Sequence, residues 1–284
     1  MIKGTLAAAI TPLHPDGGDF DDAGVSAVVD FLAESGVDGV LALGTTGEGV
    51  LFAPSERERI ARAYIDAAGS RIDVAVHVGT LATIDAVRLA EQAAADGASA
   101  VAAIGPPYFA YDETALFEHF MLIGRACAPV DFYLYEFEAR AGYALPLDVI
   151  ERLKDELDNL RGIKISTTPW EKFAPYLSVG LDAFCGPEAL IEDALAHGAI
   201  GAVSGLASGF PELVANHVNN PAPASGATLA ALRADLSQYP FHAAMKRVLV
   251  RRGVEIEETV RRPLRALTPE ETSAVDALVD GALE

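Results

Sequence analysis

The chain has 284 residues, 51% of them hydrophobic, and 41 acidic against 21 basic side chains give it a formal net charge of -20. That length and apolar content can fill one α/β barrel or two small domains. The charge opposes a phosphate backbone and no Lys/Arg-rich run relieves it locally, so nucleic acid is excluded as an expected partner. The acids are scattered through helical segments, as on a solvated surface.

Cys127 and Cys185 form no CxxC pair, so neither a disulfide framework nor a structural zinc site is expected. Met1-Ile2-Lys3-Gly4 passes straight into a strand-like run without the apolar stretch of a signal peptide. No apolar stretch reaches membrane length either, so a cytoplasmic protein with no membrane contact is expected.

Eight short apolar or β-rich runs follow in chain order: 5–10, 39–43, 73–78, 100–104, 131–135, 161–165, 182–185 and 200–204. Helical periodicity fills the intervals, as in Val25, Val28, Val29 and Leu32, or Leu190, Ile191, Ala194 and Leu195. Asp22 before the first helix, Ser55 with Glu58 at the second and Pro211 at the eighth read as helix starts. Beyond residue 222 only helical patterns remain, at 225–237, 240–251 and 268–282. Eight βα repeats close most simply into a (β/α)8 TIM barrel over 1–222, with a C-terminal helical extension over 223–284 packed on it. The competing open sheet is disfavoured because no GxGxxG follows the first strand.

In a barrel the working residues lie at the C-terminal ends of strands. The second run leads into Gly44-Thr45-Thr46-Gly47-Glu48, whose hydroxyls and N–H groups either hold a carboxylate or phosphate or close a tight turn on themselves. The fifth ends on Tyr135, on the same face as Tyr133, and continues into Glu136, Glu138 and Arg140, which also read as a local ion cluster. The sixth holds Lys164 between Ile163 and Ile165, a costly place for an ammonium that chemistry, or a structural ion pair, would explain. The other lysines, Lys3, Lys154, Lys172 and Lys246, fall at the N-terminus or in predicted helices.

The ordered set Gly44-Thr45-Thr46-Gly47-Glu48, Leu134-Tyr135 with Arg140-Ala141-Gly142, and Gly162-Ile163-Lys164 resembles the dihydrodipicolinate synthase/N-acetylneuraminate lyase superfamily of Schiff-base lyases. Pro106-Pro107-Tyr108, Gly186 and Gly201-Ala202-Val203-Ser204 extend the resemblance over nearly the whole chain. It implies that Lys164 forms an iminium with pyruvate or another 2-keto acid and that an aldehyde is the second reactant. Burial of such an amine between apolar neighbours favours its neutral, nucleophilic form.

By the same resemblance Tyr135 is the proton shuttle, Thr45 positions its hydroxyl, and Thr46 with the Gly47 loop holds the substrate carboxylate. Arg140 meets a second acid group, while Gly186 and the Val203 carbonyl line the pocket. No metal or other cofactor is implied, the six histidines read as structural or surface residues, and a homodimer or homotetramer is expected.

Three departures bear on the substrate. Glu136 and Glu138 replace the usual Asn and Pro after the shuttle tyrosine and would place two extra acids near the pocket. Phe109 stands where synthases carry a tyrosine that relays a proton between subunits, with Tyr111 as a substitute left open by the spacing. Ile165 follows the lysine in place of an acid. These favour a 2-keto-3-deoxy sugar-acid aldolase over a 4-hydroxy-tetrahydrodipicolinate synthase. Two readings from other classes remain: a non-catalytic keto-acid-binding barrel, and a phosphate-binding isomerase using Gly201 and Gly205.

Overall fold

The computed structural model describes residues 2–283, so Met1 and Glu284 lie outside the description. Strands buried on both faces read as continuous apolar runs, and that is how the eight strands are written. They are β1 (Gly4–Ala8), β2 (Gly39–Ala42), β3 (Asp73–His77), β4 (Ala100–Ile104), β5 (Asp131–Glu136), β6 (Leu160–Ile165), β7 (Asp182–Cys185) and β8 (Gly201–Ser204). All pair in parallel in sequence order, and β8 closes on β1 with Leu6 opposite Val203. The closed barrel settles the choice against an open sheet.

Between the strands run α1 (Asp22–Glu34), α2 (Pro54–Ala68), α3 (Thr83–Ala95), α4 (Glu113–Cys127), the short α5 (Glu138–Ala141), α6 (Leu147–Glu156), the short α7 (Trp170–Phe173) and α8 (Ile191–Ala196). Behind β8 come α9 (Pro211–Asn219), α10 (Pro223–Leu236), α11 (Phe241–Arg251) and α12 (Pro269–Leu283). Two helix starts differ from the sequence reading. Asp21, not Asp22, caps α1 by accepting from the Ala23 N–H. At α2, Pro54 takes the first turn and Glu56 accepts from the Ala53 N–H at 2.8 Å, which leaves Ser55 and Glu58 inside the helix. Proline's fixed φ there outweighs the serine's capping preference.

Alternation divides each strand between two cores. Ile163 and Ile165 point outward and are fully buried against the helices. Inside the barrel Leu6, Leu41, Ala75, Ala102, Tyr133 and Phe184 form an apolar plug. A fully buried Leu or Phe stabilises the fold by about 1.5–3 kcal/mol, so the plug is a substantial stopper. α10 rests on the turn Glu188–Leu190 after β7, and α11 on the turn Leu206–Ser208 after β8. The C-terminal helices therefore cover one side of the barrel's catalytic end.

Candidate active site

The loop after β2 is tightly curled. Leu43 and Glu48 both have positive φ, 60° and 58°, a conformation that costs a non-glycine residue about 1–2 kcal/mol. A Cβ on Gly49 would lie 1.8 Å from the Leu43 carbonyl, so only glycine allows the chain to fold back there.

The curl is held from the C-terminal helices. Glu48 is buried and its carboxylate meets Lys246 Nζ at 2.7 Å, while the Arg261 N–H donates to it at 2.6 Å. His242 Nε2 donates to the Thr45 carbonyl at 2.9 Å. Gly47 does not reach the cavity: its carbonyl accepts the Thr11 hydroxyl at 2.7 Å and a Cβ would lie 2.9 Å from the Ala9 carbonyl. Gly47 is therefore not on the side of the loop that lines the cavity, where Thr45 and Thr46 stand.

β5 and β6 set the other wall. Their register puts Tyr135 directly opposite Lys164, and Lys164 opposite Phe184 on β7. Gly162 makes the pairing feasible, because a Cβ there would lie 2.4 Å from the Tyr133 ring. Lys164 is 7% exposed, with Nζ 4.0 Å from the centroid of the Tyr135 ring. Lys154, Lys172 and Lys246 all pair with carboxylates, whereas among the described residues Lys164 pairs with none. The structural ion pair considered for it is absent there.

The Tyr135 hydroxyl lies 3.4 Å from Thr45 Oγ1. Burial pushes the phenol up, but the Lys164 charge and hydrogen bonds with Thr45, Ser166 and Lys164 together hold it below the usual tyrosine range. His77 packs edge-on to the same ring at 5.8 Å. Burial, with the Arg57 and Lys164 charges, lowers its pKa to about 3, so it is neutral.

The two acids after Tyr135 are not where the sequence suggested. Glu136 is 1% exposed and accepts the N–H groups of Glu138 at 3.0 Å and Leu145 at 2.8 Å, so it ties down the β5 loop outside the cavity. Burial raises its pKa to about 7 despite those two hydrogen bonds. Glu138 pairs with Lys172 at 2.7 Å on the surface, leaving Arg140 to face the cavity over the Phe137 ring.

One cavity of about 470 Å³ collects Thr45, Thr46, Tyr135, Arg140, Lys164, Gly186 and Val203. It also draws in residues that local pattern did not mark: Ser166, Glu188, Arg233 and His242. Ser166 was recoverable, since it follows Lys164 by two and shares its face. Of the six histidines read as structural or surface residues, His242 lines the cavity while it braces the Thr45 carbonyl. Neither Phe109 nor Tyr111 lines the cavity; Tyr111 packs on Tyr143 at a broader surface hollow of about 650 Å³ that includes neither Lys164 nor Tyr135. Gly201 serves barrel closure, because a Cβ on it would lie 1.9 Å from the Gly4 carbonyl, and it does not line the cavity, whereas Gly205 does.

A buried lysine beside a tyrosine and a Thr-Thr loop at the catalytic end of a barrel is chemistry that comparison can place. Residues 1–282 match the dihydrodipicolinate synthetase family. The chain belongs to that family. An uncharacterized DapA-like lyase of Halobacterium salinarum is 34% identical over 87% of this chain and 83% of its own length. A 4-hydroxy-tetrahydrodipicolinate synthase of Alkalilimnicola ehrlichii is 32% identical over 75% of this chain and 73% of its own. The sialic acid aldolase of Ruminococcus gnavus superposes with a TM-score of 0.93 at 25% identity, covering 99% of this chain and 97% of that one. Dihydrodipicolinate synthetase family proteins are lyases, and this chain is a lyase of the class I aldolase fold.

Proposed function

We propose that the protein is a pyruvate-type class I lyase acting on a 2-keto acid, and that its substrate is a 2-keto-3-deoxy sugar acid. The observation that carries this is the pairing of Lys164 with Tyr135, buried at the floor of a cavity that also holds Thr45 and Thr46. The Lys164 amine attacks the keto carbon, and the carbinolamine hydroxyl takes the Tyr135 proton and leaves as water, giving an iminium and the Tyr135 phenolate. That iminium draws electrons from the adjacent carbon. In the cleavage direction the substrate's C4 hydroxyl gives its proton to the Tyr135 oxygen as the C3–C4 bond breaks, leaving an aldehyde and an enamine. Protonation of the enamine and hydrolysis of the resulting iminium release pyruvate and free Lys164.

A phenol already hydrogen-bonded in place, with its pKa drawn down, is suited to passing that proton both ways. Thr45 positions the hydroxyl, Thr46 and the loop N–H groups hold the keto-acid carboxylate, and Gly186 and the Val203 carbonyl line the path of the substrate.

A second reading, condensation of pyruvate with aspartate semialdehyde, is favoured by one observation, the presence of Arg140 at the cavity. The relative from Alkalilimnicola bears the name of that activity, but Phe109 cannot relay a proton.

We further propose a cytoplasmic homodimer or homotetramer. Free Cys127 and Cys185 support the compartment, and Tyr108 and Phe109, 86% and 63% exposed, support burial against another copy. Light scattering on the purified protein measures the assembly. Borohydride reduction with pyruvate, then peptide mass mapping, tests the chemistry: an adduct on Lys164 that Lys164→Ala lacks is expected. A folded protein that forms no adduct is the keto-acid-binding barrel instead.

A further inference from the structure

Two side chains of α11 hold the β2 loop, and they hold different parts of it. His242 and Lys246 stand one helical turn apart, on one face of the helix. Lys246 meets the Glu48 carboxylate at 2.7 Å, a contact between side chains at the far end of the loop. His242 reaches the backbone itself, with Nε2 2.9 Å from the Thr45 carbonyl oxygen. A carbonyl only accepts, so the imidazole carries a proton on Nε2. The same oxygen accepts the Glu48 N–H at 3.2 Å, which closes the turn Thr45–Glu48 and uses both of its lone pairs.

The peptide bond is planar and trans, so the Thr46 N–H points opposite to the Thr45 carbonyl. A hydrogen bond that pins one end of that plane to α11 turns the other end away from α11. Neither the Thr45 nor the Thr46 N–H has a hydrogen-bond acceptor among the described residues. Both residues line the cavity that holds Lys164, and Thr46 is buried. Buried N–H groups in folded chains are seldom left unpaired, so a donor free in such a place is matched to an acceptor from outside the chain. The loop also needs an outside hold. Leu43 and Glu48 flank it in left-handed conformations, and strained backbone persists only where its surroundings over-determine it. His242 stands in the cavity wall to supply that hold, with Phe241 packed edge-on to its ring at 6.3 Å.

We propose that His242 is a positioning residue: through the Thr45 carbonyl it sets the Thr45–Thr46 peptide plane so that the Thr46 N–H faces the carboxylate of the keto acid held on Lys164. It acts through the backbone rather than on the keto acid. This rests on the Schiff-base reading proposed above. An N–H donated to a carboxylate is a charge-assisted bond, stronger than a neutral one, so a turned plane is felt as lost affinity for the keto acid. The step served is binding, not proton transfer, because Lys164 and Tyr135 take their places from the β5–β6 register.

The test compares pyruvate with methyl pyruvate, which offers the same keto carbon without the carboxylate charge. Cyanoborohydride, which reduces an iminium in preference to a ketone, traps each on Lys164, and the concentration that half-saturates trapping is read. His242→Ala should raise that concentration about tenfold for pyruvate, the worth of one hydrogen bond to a charged group, and less than about twofold for the ester. The maximal trapping rate should change less than about twofold, as expected when only binding is lost. His242→Gln, whose amide nitrogen reaches the place of Nε2, should restore most of the pyruvate affinity, whereas His242→Asn, one bond shorter, should not. A loop merely loosened by loss of a packed ring would shift pyruvate and its ester together and would not separate Gln from Asn. Equal shifts for the two ligands, no shift, or equal behaviour of Gln and Asn overturns the assignment. Failure of the parent reading shows separately, as absence of a trapped adduct with either ligand in wild-type protein. In that event protection against thermal unfolding by pyruvate over methyl pyruvate, lost in His242→Ala and kept in His242→Gln, still reads the peptide plane, and absence of that difference overturns the assignment as well.

Discussion

Lys246→Met tests the account of the β2 loop most directly. The Lys246 and Glu48 side chains are both 0% exposed and 2.7 Å apart, and Lys246 Nζ also donates to the Thr259 carbonyl at 2.6 Å. At an effective dielectric of about 20 the attraction at that distance is about 6 kcal/mol, and desolvation of two ions offsets most of it. The net worth of the pair is therefore small, but removal of one partner strands the other. Methionine fills the volume of the lysine stem yet leaves the Glu48 carboxylate with the Arg261 N–H and no counter-charge. The expected loss of unfolding free energy is about 3–5 kcal/mol.

Urea denaturation followed by circular dichroism measures that loss. The double variant Glu48→Gln with Lys246→Met should recover most of it, because no buried charge then remains. The reasoning also ties the loss to Thr45 and Thr46, so the single variant should need more pyruvate for trapping. A loss below about 1 kcal/mol, or a double variant as unstable as the sum of the singles, would refute it.

Tyr135→Phe keeps the ring under Lys164 and removes the proton carrier, so kcat should fall about 100- to 10,000-fold in a coupled pyruvate assay while circular dichroism stays unchanged. Glu136 makes stability depend on pH. Its pKa is raised by burial to about 7 from 4.5, so its contribution is intact below pH 4.5 and is lost as pH rises through 7. Wild-type protein should lose up to about 3 kcal/mol over that window relative to Glu136→Gln, as read by denaturation at each pH. Gly162→Ala should drive the Tyr133 ring out of its seat at about 1–3 kcal/mol, seen as a lower melting temperature, and should also lower kcat by shifting β6.

The barrel was legible because short apolar strand runs and helical intervals alternate eight times, and parallel closure follows from that rhythm. Lys164, Tyr135 and Thr45 were legible because each ends a strand or begins the loop after one, where the fold converges side chains whatever their separation in sequence. Arg233, His242 and Lys246 were not, since an arginine, a histidine and a lysine in amphipathic helices carry no mark of which face meets the barrel. Glu136 and Glu138 misled for a related reason. Adjacent acids look alike in sequence, and only the backbone path shows that one binds two N–H groups in the interior while the other meets Lys172 in solvent.

The apolar plug of Leu6, Leu41, Tyr133 and Phe184 beneath Lys164 has a kinetic meaning. It stops the barrel from being a channel and makes the catalytic cavity a well with one mouth. A well fills from the bottom. On the Schiff-base reading proposed above, the reactant that bonds to Lys164 has to arrive before its partner occupies the mouth, and in cleavage the fragment nearest the mouth has to leave before the one held on the lysine. Order of addition and release is thus written into the hydrophobic packing of residues that never touch the reacting atoms.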